Sequence, residues 1–384
     1  MSDVGKMLIR PSPMLEGKSG YSVPKPAAPI DLHLDANEGV GPPATMLDAL
    51  SSAWPECVRR YPDSTGLRDD LASRFGVSSE RVLVTAGADD AIDRACRAVL
   101  APGRELILPL PTFEMIPKYA MLQGVNIRNV AWMEPGSGFP RRLVLEQISE
   151  RTAMIAIVTP NNPTGECATL EDIEAVARSA PRALILVDMA YAEFATGDTA
   201  TQRFAERVLS LPNALMTRTF SKAWGLAGLR VGYAIGHTRV IEWMRAAAGP
   251  YTCSTASLAL ARHWAGASGA GTRLVRAFID RVREERAVLS TLLRDRGAQV
   301  WNSEGNFVFA RFAGCDAAGV GRAARVRAEL ARRGIAVRGY PGRRLMEGVD
   351  LDPCLRITCP GEERAFARLR GALEEILVDG ASES

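Results

Sequence analysis

One lysine of this chain stands where an amine could do covalent chemistry. Lys222 lies in RTFSKAWGLAGLR (218–230), after Thr219 and Ser221 and before Gly225, Gly228 and Arg230. Two hydroxyls and a guanidinium suit a phosphate. Gly87-Ala88-Asp89 opens a predicted helix, where small residues expose N–H groups and the dipole favours an anion. Asp188 ends the apolar run ALILVDMAY (183–191), where an isolated carboxylate is costly unless a cation meets it. A protonated ring nitrogen would be such a cation. Phosphate, amine-reactive aldehyde and pyridinium together describe pyridoxal 5'-phosphate.

Each of these residues has an ordinary reading when taken alone. An SK dipeptide is usually surface, NNPTG (161–165) is a good turn, an aspartate after a strand is often a cap, and Phe113 could be core. Their joint occurrence decides the matter. Apolar runs at 82–87, 105–111, 154–160, 183–191 and 214–222 end in GADDA, PTFEM, NNPTG, Asp188 with Tyr191, and FSKAWG. In open α/β sheets ligands bind outside the carboxyl ends of the strands, so these loops are expected to converge on one crevice. The glycines at 225, 228, 232 and 236 do not form GxGxxG, which leaves a nicotinamide cofactor unsupported.

The elements that must position these groups are legible in outline. Near-continuous apolar runs alternate with amphipathic stretches such as 89–100 and 169–180, which predicts a mostly parallel sheet covered on both faces. Thr169 and Asp172 have the spacing of a helix N-terminal cap. A helix is predicted over 271–296, with Leu274, Phe278, Val282, Leu289 and Leu293 on its apolar stripe. Beyond it, short strands alternate with two helices. The expected organisation is a proline-rich arm over 1–30, a large α/β domain over 31–270 whose first residues contribute to the small domain, and a smaller α+β domain over 271–384.

Composition bounds the rest. The 384 residues are 47% apolar and 24% charged, and 47 Lys+Arg against 44 Asp+Glu leave +3, which argues against a nucleic-acid binder. No apolar run approaches the roughly 18 residues of a membrane span, and the first residues lack a signal pattern, so a cytoplasmic protein is expected. Seven scattered cysteines without a CxxC and three distant histidines recruit neither a metal site nor a Ser-His-Asp triad.

The motifs resemble those of the fold-type-I pyridoxal-phosphate aminotransferases, specifically the histidinol-phosphate aminotransferase family. The likeness spans nearly the whole chain: LDANEGVGPP (34–43), RYPDSTGLRDDLA (60–72), GADDAI (87–92), PTFEMIPKYA (111–120), NNPTG, VDMAYAEF (187–194), RTFSKAWGLAGLRVGYAI (218–235), EGNFVFARF (304–312) and LRITCP (355–360). It implies that Lys222 bonds the cofactor and carries the proton, and that Asp188 pairs with the ring nitrogen. Asn162 and Tyr191 would hold the phenolic oxygen, and Phe113, where the family usually has Tyr, would stack on the ring. Ala88, Asp89, Thr219, Ser221 and Arg230 would hold the phosphate, joined by Tyr61 from the second subunit of a homodimer. Arg356 would fork onto the substrate's carboxylate or phosphate, with Tyr21, Asn37 and Arg338 nearby. The partners so implied are an amino donor and a 2-oxo acid, 2-oxoglutarate first, in a ping-pong reaction.

The departures from the family pattern bear on substrate. Asp188-Met189-Ala190-Tyr191 stands where Asp-Glu-Ala-Tyr is common, and Asn37-Glu38-Gly39-Val40 replaces Asn-Glu-Asn-Pro. Histidinol phosphate is the first donor the resemblance implies; the departures suggest a diverged member and raise an aromatic amino acid or a specialised metabolite as the alternative. A decarboxylase or lyase on the same scaffold is a further alternative.

Overall fold

The computed structural model describes residues 11–17, 20, 29–51, 54–196, 202–266, 269–315 and 319–378. After β1 (Leu32–Leu34), the strands β2 (Val82–Thr85), β3 (Glu105–Leu110), β4 (Asn126–Ala131), β5 (Thr152–Val158), β6 (Leu184–Asp188), β7 (Ala214–Thr219) and β8 (Gly232–Gly236) follow. β2 to β8 form one sheet in the order β2-β8-β7-β6-β5-β3-β4. Only β8 runs against its neighbours. β3, β5 and β6 are buried at every position. That is why their sequences are unbroken apolar runs rather than alternations.

The period of two distributes those runs between two cores. Ile107, Ile155, Ile157, Ile185 and Val187 pack with Ile173, Val176, Phe204 and Val208 on one face. Leu106, Leu108, Met154, Leu186 and Leu215 pack with Ala91, Ile92, Ile116 and Ile241 on the other. The helix Leu170–Ser179 starts with a reciprocal cap: Asp172 N–H donates to Thr169 Oγ1 at 3.1 Å, and Thr169 N–H to Asp172 Oδ2 at 3.0 Å.

The remaining strands are β9 (Gln299–Val300), β10 (Phe307–Arg311), β11 (Ile335–Gly339), β12 (Arg344–Met346), β13 (Val349–Asp350) and β14 (Cys354–Thr358). Four of them join β1 in a smaller sheet ordered β1-β11-β14-β10-β9, while β12 and β13 pair with each other. β1 runs parallel to β11, with Leu32 against Ile335 and Leu34 against Val337. A segment from the start of the chain therefore completes the small domain's sheet and carries Asp35–Asn37 to the cleft.

Two details depart from the sequence reading. The long helix runs Thr272–Asp295, but Leu274 is exposed and Val275 takes its place on the buried stripe with Phe278, Val282, Leu289 and Leu293. Steps of four alone drift off a 3.6-residue period, and the step of three from Val275 to Phe278 corrects the drift. β4 was not anticipated, because NIRNVA is polar and lies at the sheet edge. No helix among the described residues is long and apolar enough to cross a membrane.

Candidate active site

A cavity of about 290 Å³ opens at the carboxyl ends of β2, β3, β5, β6 and β7, with residues of β11 and β14 on its opposite wall. Ala88, Asp89, Phe113, Asn162, Asp188, Tyr191, Thr219, Ser221, Lys222, Arg230, Arg338 and Arg356 all line it. Two described residues named from the sequence, Tyr61 and Asn37, do not. Tyr21 lies outside the described residues. Tyr61 is 79% exposed and stacks on Tyr251, ring centroids 4.7 Å apart. Asn37, expected at the substrate mouth, is instead buried behind the wall with a left-handed φ of 56°. Its amide donates to the Tyr191 hydroxyl at 3.1 Å, and its backbone is tied to Thr358 and Asn306.

One end of the cavity is built for an anion. Thr219 Oγ1 donates to Ser221 Oγ at 2.9 Å, and Arg230 approaches both Ser221 Oγ, at 3.4 Å, and Asp89 Oδ2, at 3.3 Å. The first turn of helix Gly87–Val99 faces the same place. A Cβ on Gly87 would stand 2.7 Å from Arg230 Nη2, and one on Gly232 would stand 2.7 Å from Ala88 N. Glycine at both positions lets the helix terminus, β8 and the guanidinium close together. Hydroxyls, helix N–H groups and a guanidinium are the donor set of a phosphate site.

Beside that cradle lies the ionisable pair. Asp188 is 3% exposed and accepts from Thr217 Oγ1 at 3.0 Å. Burial pushes its carboxyl up to about 7, against the Thr217 bond. A carboxyl so placed in a cavity wall fits a cationic ring nitrogen, which would let it ionise. Lys222 Nζ donates to the Ala36 carbonyl at 3.0 Å and sits 5.7 Å from the centre of the Tyr191 ring. Burial first, and the Arg356 charge second, bring its amine down to about 8. An amine so lowered keeps a neutral, nucleophilic fraction near neutral pH. Tyr191 Oη lies 3.4 Å from Asn162 Nδ2, and burial raises the phenol's pKa.

On the opposite wall, Arg356 donates to Asn162 Oδ1 at 2.7 Å and to the Asp35 carbonyl at 2.5 Å. Both acceptors are neutral, and its Nε is buried without a partner among the described residues. Arg338 is its register partner across β11 and β14. Like charges directly opposite each other are unfavourable, and the sequence did not reveal what offsets them. Glu114 accepts from Arg338 at 3.0 Å and from Arg343 at 2.5 Å. Burial opposes ionisation of Glu114, yet the Arg343 and Arg338 guanidiniums hold its carboxyl below the usual range. Tyr340, Leu345 and Leu351 supply apolar surface beside them.

The family model of aminotransferase class I and II matches residues 37–373. The chain is 31% identical over 351 residues to the histidinol-phosphate aminotransferase of Paracoccus denitrificans, covering 91% of this chain and 90% of that one. It is 34% identical over 306 residues to the aromatic amino acid aminotransferase of Streptomyces coelicolor, covering 77% and 83%. The histidinol-phosphate aminotransferase of Sinorhizobium meliloti, solved in complex with pyridoxal-5'-phosphate, has the same fold. It superposes with a TM-score of 0.81 at 23% identity, covering 98% of this chain and 100% of that one.

Proposed function

The chain belongs to the class I and II aminotransferases, which work with pyridoxal 5'-phosphate, and from that premise we propose that its amino donor is histidinol phosphate and its acceptor 2-oxoglutarate. The observation that carries the donor is the cationic wall. Among the described residues Arg356 has neutral acceptors only, and Arg338 beside it shares the Glu114 carboxylate with Arg343. That excess of positive charge suits a donor phosphate in one half-reaction and an acceptor carboxylate in the other. The donor's ring would take the apolar surface of Tyr340, Leu345 and Leu351.

When bound, the cofactor supplies an aldehyde for the donor amine and a ring that takes up the electron pair left when the donor's α-carbon loses its proton. In this reading the Lys222 amine removes that proton and returns one to the cofactor's C4' carbon. Asp188 would hold the ring nitrogen protonated, while Asn162 and Tyr191 would hold the phenolic oxygen. Phe113 would pack against the ring, and the backbone N–H groups of Ala88 and Asp89 with Thr219, Ser221 and Arg230 would grip the phosphate. Asn37 acts on this set through Tyr191 rather than on the substrate.

The active unit in this proposal is a homodimer. Tyr61, Trp54, Val58 and Tyr251 are all exposed, and a second subunit would cover them and receive Tyr61 at its own phosphate cradle. In the same proposal the large domain, 31–270, carries Lys222, and the small domain, 271–384, to whose sheet β1 contributes, carries Arg338 and Arg356.

The decisive experiment adds single donors to the loaded enzyme without any oxo acid. Histidinol phosphate should yield one equivalent of its ketone per site and move the visible absorbance to the ultraviolet. Phenylalanine or tyrosine reacting in its place would favour the aromatic reading, which the apolar wall and the Streptomyces coelicolor relative support. Release of carbon dioxide or ammonia would replace both readings with a lyase.

A further inference from the structure

Glu114 follows Phe113 in the turn after β3, at the N-cap position of the helix Met115–Leu122 but without a side-chain cap bond, so it comes from the large domain. Its two oxygens go to two arginines of the small domain, Arg338 and Arg343. All three line the cavity together with Arg356. An anionic ligand end that reaches Arg338 or Arg343 therefore meets a carboxylate already in place and must displace or share it. A ligand that ends in a ring meets no such competition, because Tyr340, Leu345 and Leu351 lie beside the ion pairs.

We propose that Glu114 is a specificity-determining residue: an internal counter-ion that sets how strongly the site takes ligands with a second anionic group, phosphate or ω-carboxylate, relative to ligands with only one. This rests on the reading that these arginines receive the substrate's anions. The cost of displacing Glu114 falls only on doubly anionic ligands. The residue thereby narrows the gap in affinity between a ring-bearing donor and a dicarboxylate acceptor, which a ping-pong enzyme must bind in one site.

Calorimetric binding to the pyridoxal-phosphate-loaded protein tests this with two acids. Glutarate carries two carboxylates; 3-phenylpropionate carries one carboxylate and a ring. Glu114→Gln should tighten glutarate by about tenfold, the effect of removing one nearby like charge from a partly solvated site, and should shift 3-phenylpropionate by less than about twofold. Glu114→Asp should stay nearer the parent. Should Glu114→Gln fail to fold, Arg343→Gln serves instead, with glutarate weakened and 3-phenylpropionate spared. Equal shifts for both acids, or glutarate unchanged or absent from parent and variant alike, overturn the assignment. The donor proposal stands or falls separately, on ketone formation from histidinol phosphate.

Discussion

Two ionisable side chains at the centre of the site are stability liabilities before any cofactor arrives, and their signs are opposite. Asp188 titrates near 7 in the fold, above the ordinary 3.8. The folded chain thus keeps a proton that the unfolded chain releases, so this group erodes stability as pH rises from about 4 to 7 and costs a constant amount above that. Asp188→Asn should raise the Tm of the cofactor-free protein at pH 8 by about 2–4 °C. It should also cut turnover of the loaded enzyme by about 10²–10³-fold. A fall in both would show that Asp188 serves structure instead. Lys222 titrates near 8, below the ordinary 10.5, so its cost is full below about pH 8 and fades as pH rises toward 10.5. Lys222→Ala should abolish transamination, a loss of at least about 10⁴-fold, without lowering the cofactor-free Tm at neutral pH. Both residues were legible in the sequence because an amine beside hydroxyls and a carboxyl ending an apolar strand are unusual chemistry. The Ala36 carbonyl that receives Lys222 was not, since a backbone acceptor has no side-chain signature. Asn37 was misplaced because residue type does not report burial. Glu114 and Arg343 went unseen as a pair because 229 positions separate them.

Among the elements, the turns that hold these residues are braced from beneath. Arg218 on β7 pairs with Glu193 at 2.7 Å, and Trp224 Nε1 donates to the same carboxylate oxygen at 3.3 Å. The turn bearing Tyr191 is thereby tied to the strand and segment on either side of Lys222. Arg218→Met leaves the Glu193 carboxylate largely buried without its cation, and urea denaturation should show a loss of about 3–5 kcal/mol. A loss under about 1 kcal/mol would mean that water replaces the partner. The strands that build the large sheet's interior could be read because burial on both faces leaves no polar position in them. β4 escaped notice because an edge strand needs neither a continuous run nor alternation. β1 was expected to contribute to the small domain but not read as a strand, because three residues carry no period at all and its partner lies far along the chain.

At the scale of the molecule, the proposed exchange of Tyr61 between subunits has a measurable signature. Lys222→Ala and Tyr61→Ala chains should each be nearly inactive alone. Mixed under conditions of subunit exchange, they should recover about a quarter of parental activity, because half the dimers are hybrids with one intact site in two. No recovery would place Tyr61 outside its neighbour's site. The overall architecture was readable because strand and helix patterns alternate over most of the chain. The surface that would pair subunits was not, since exposed aromatics in a sequence look like core. The pairing of β1 with β11 also sets a timetable. The carbonyls of Asp35 and Ala36 that receive Arg356 and Lys222 follow a strand whose partner is translated about 300 residues later. At roughly 5–20 residues per second, a ribosome takes about 15–60 s to cover that distance. The growing chain can assemble its large sheet during this interval, but the floor beneath its reactive lysine stays unfinished until β11 has been made.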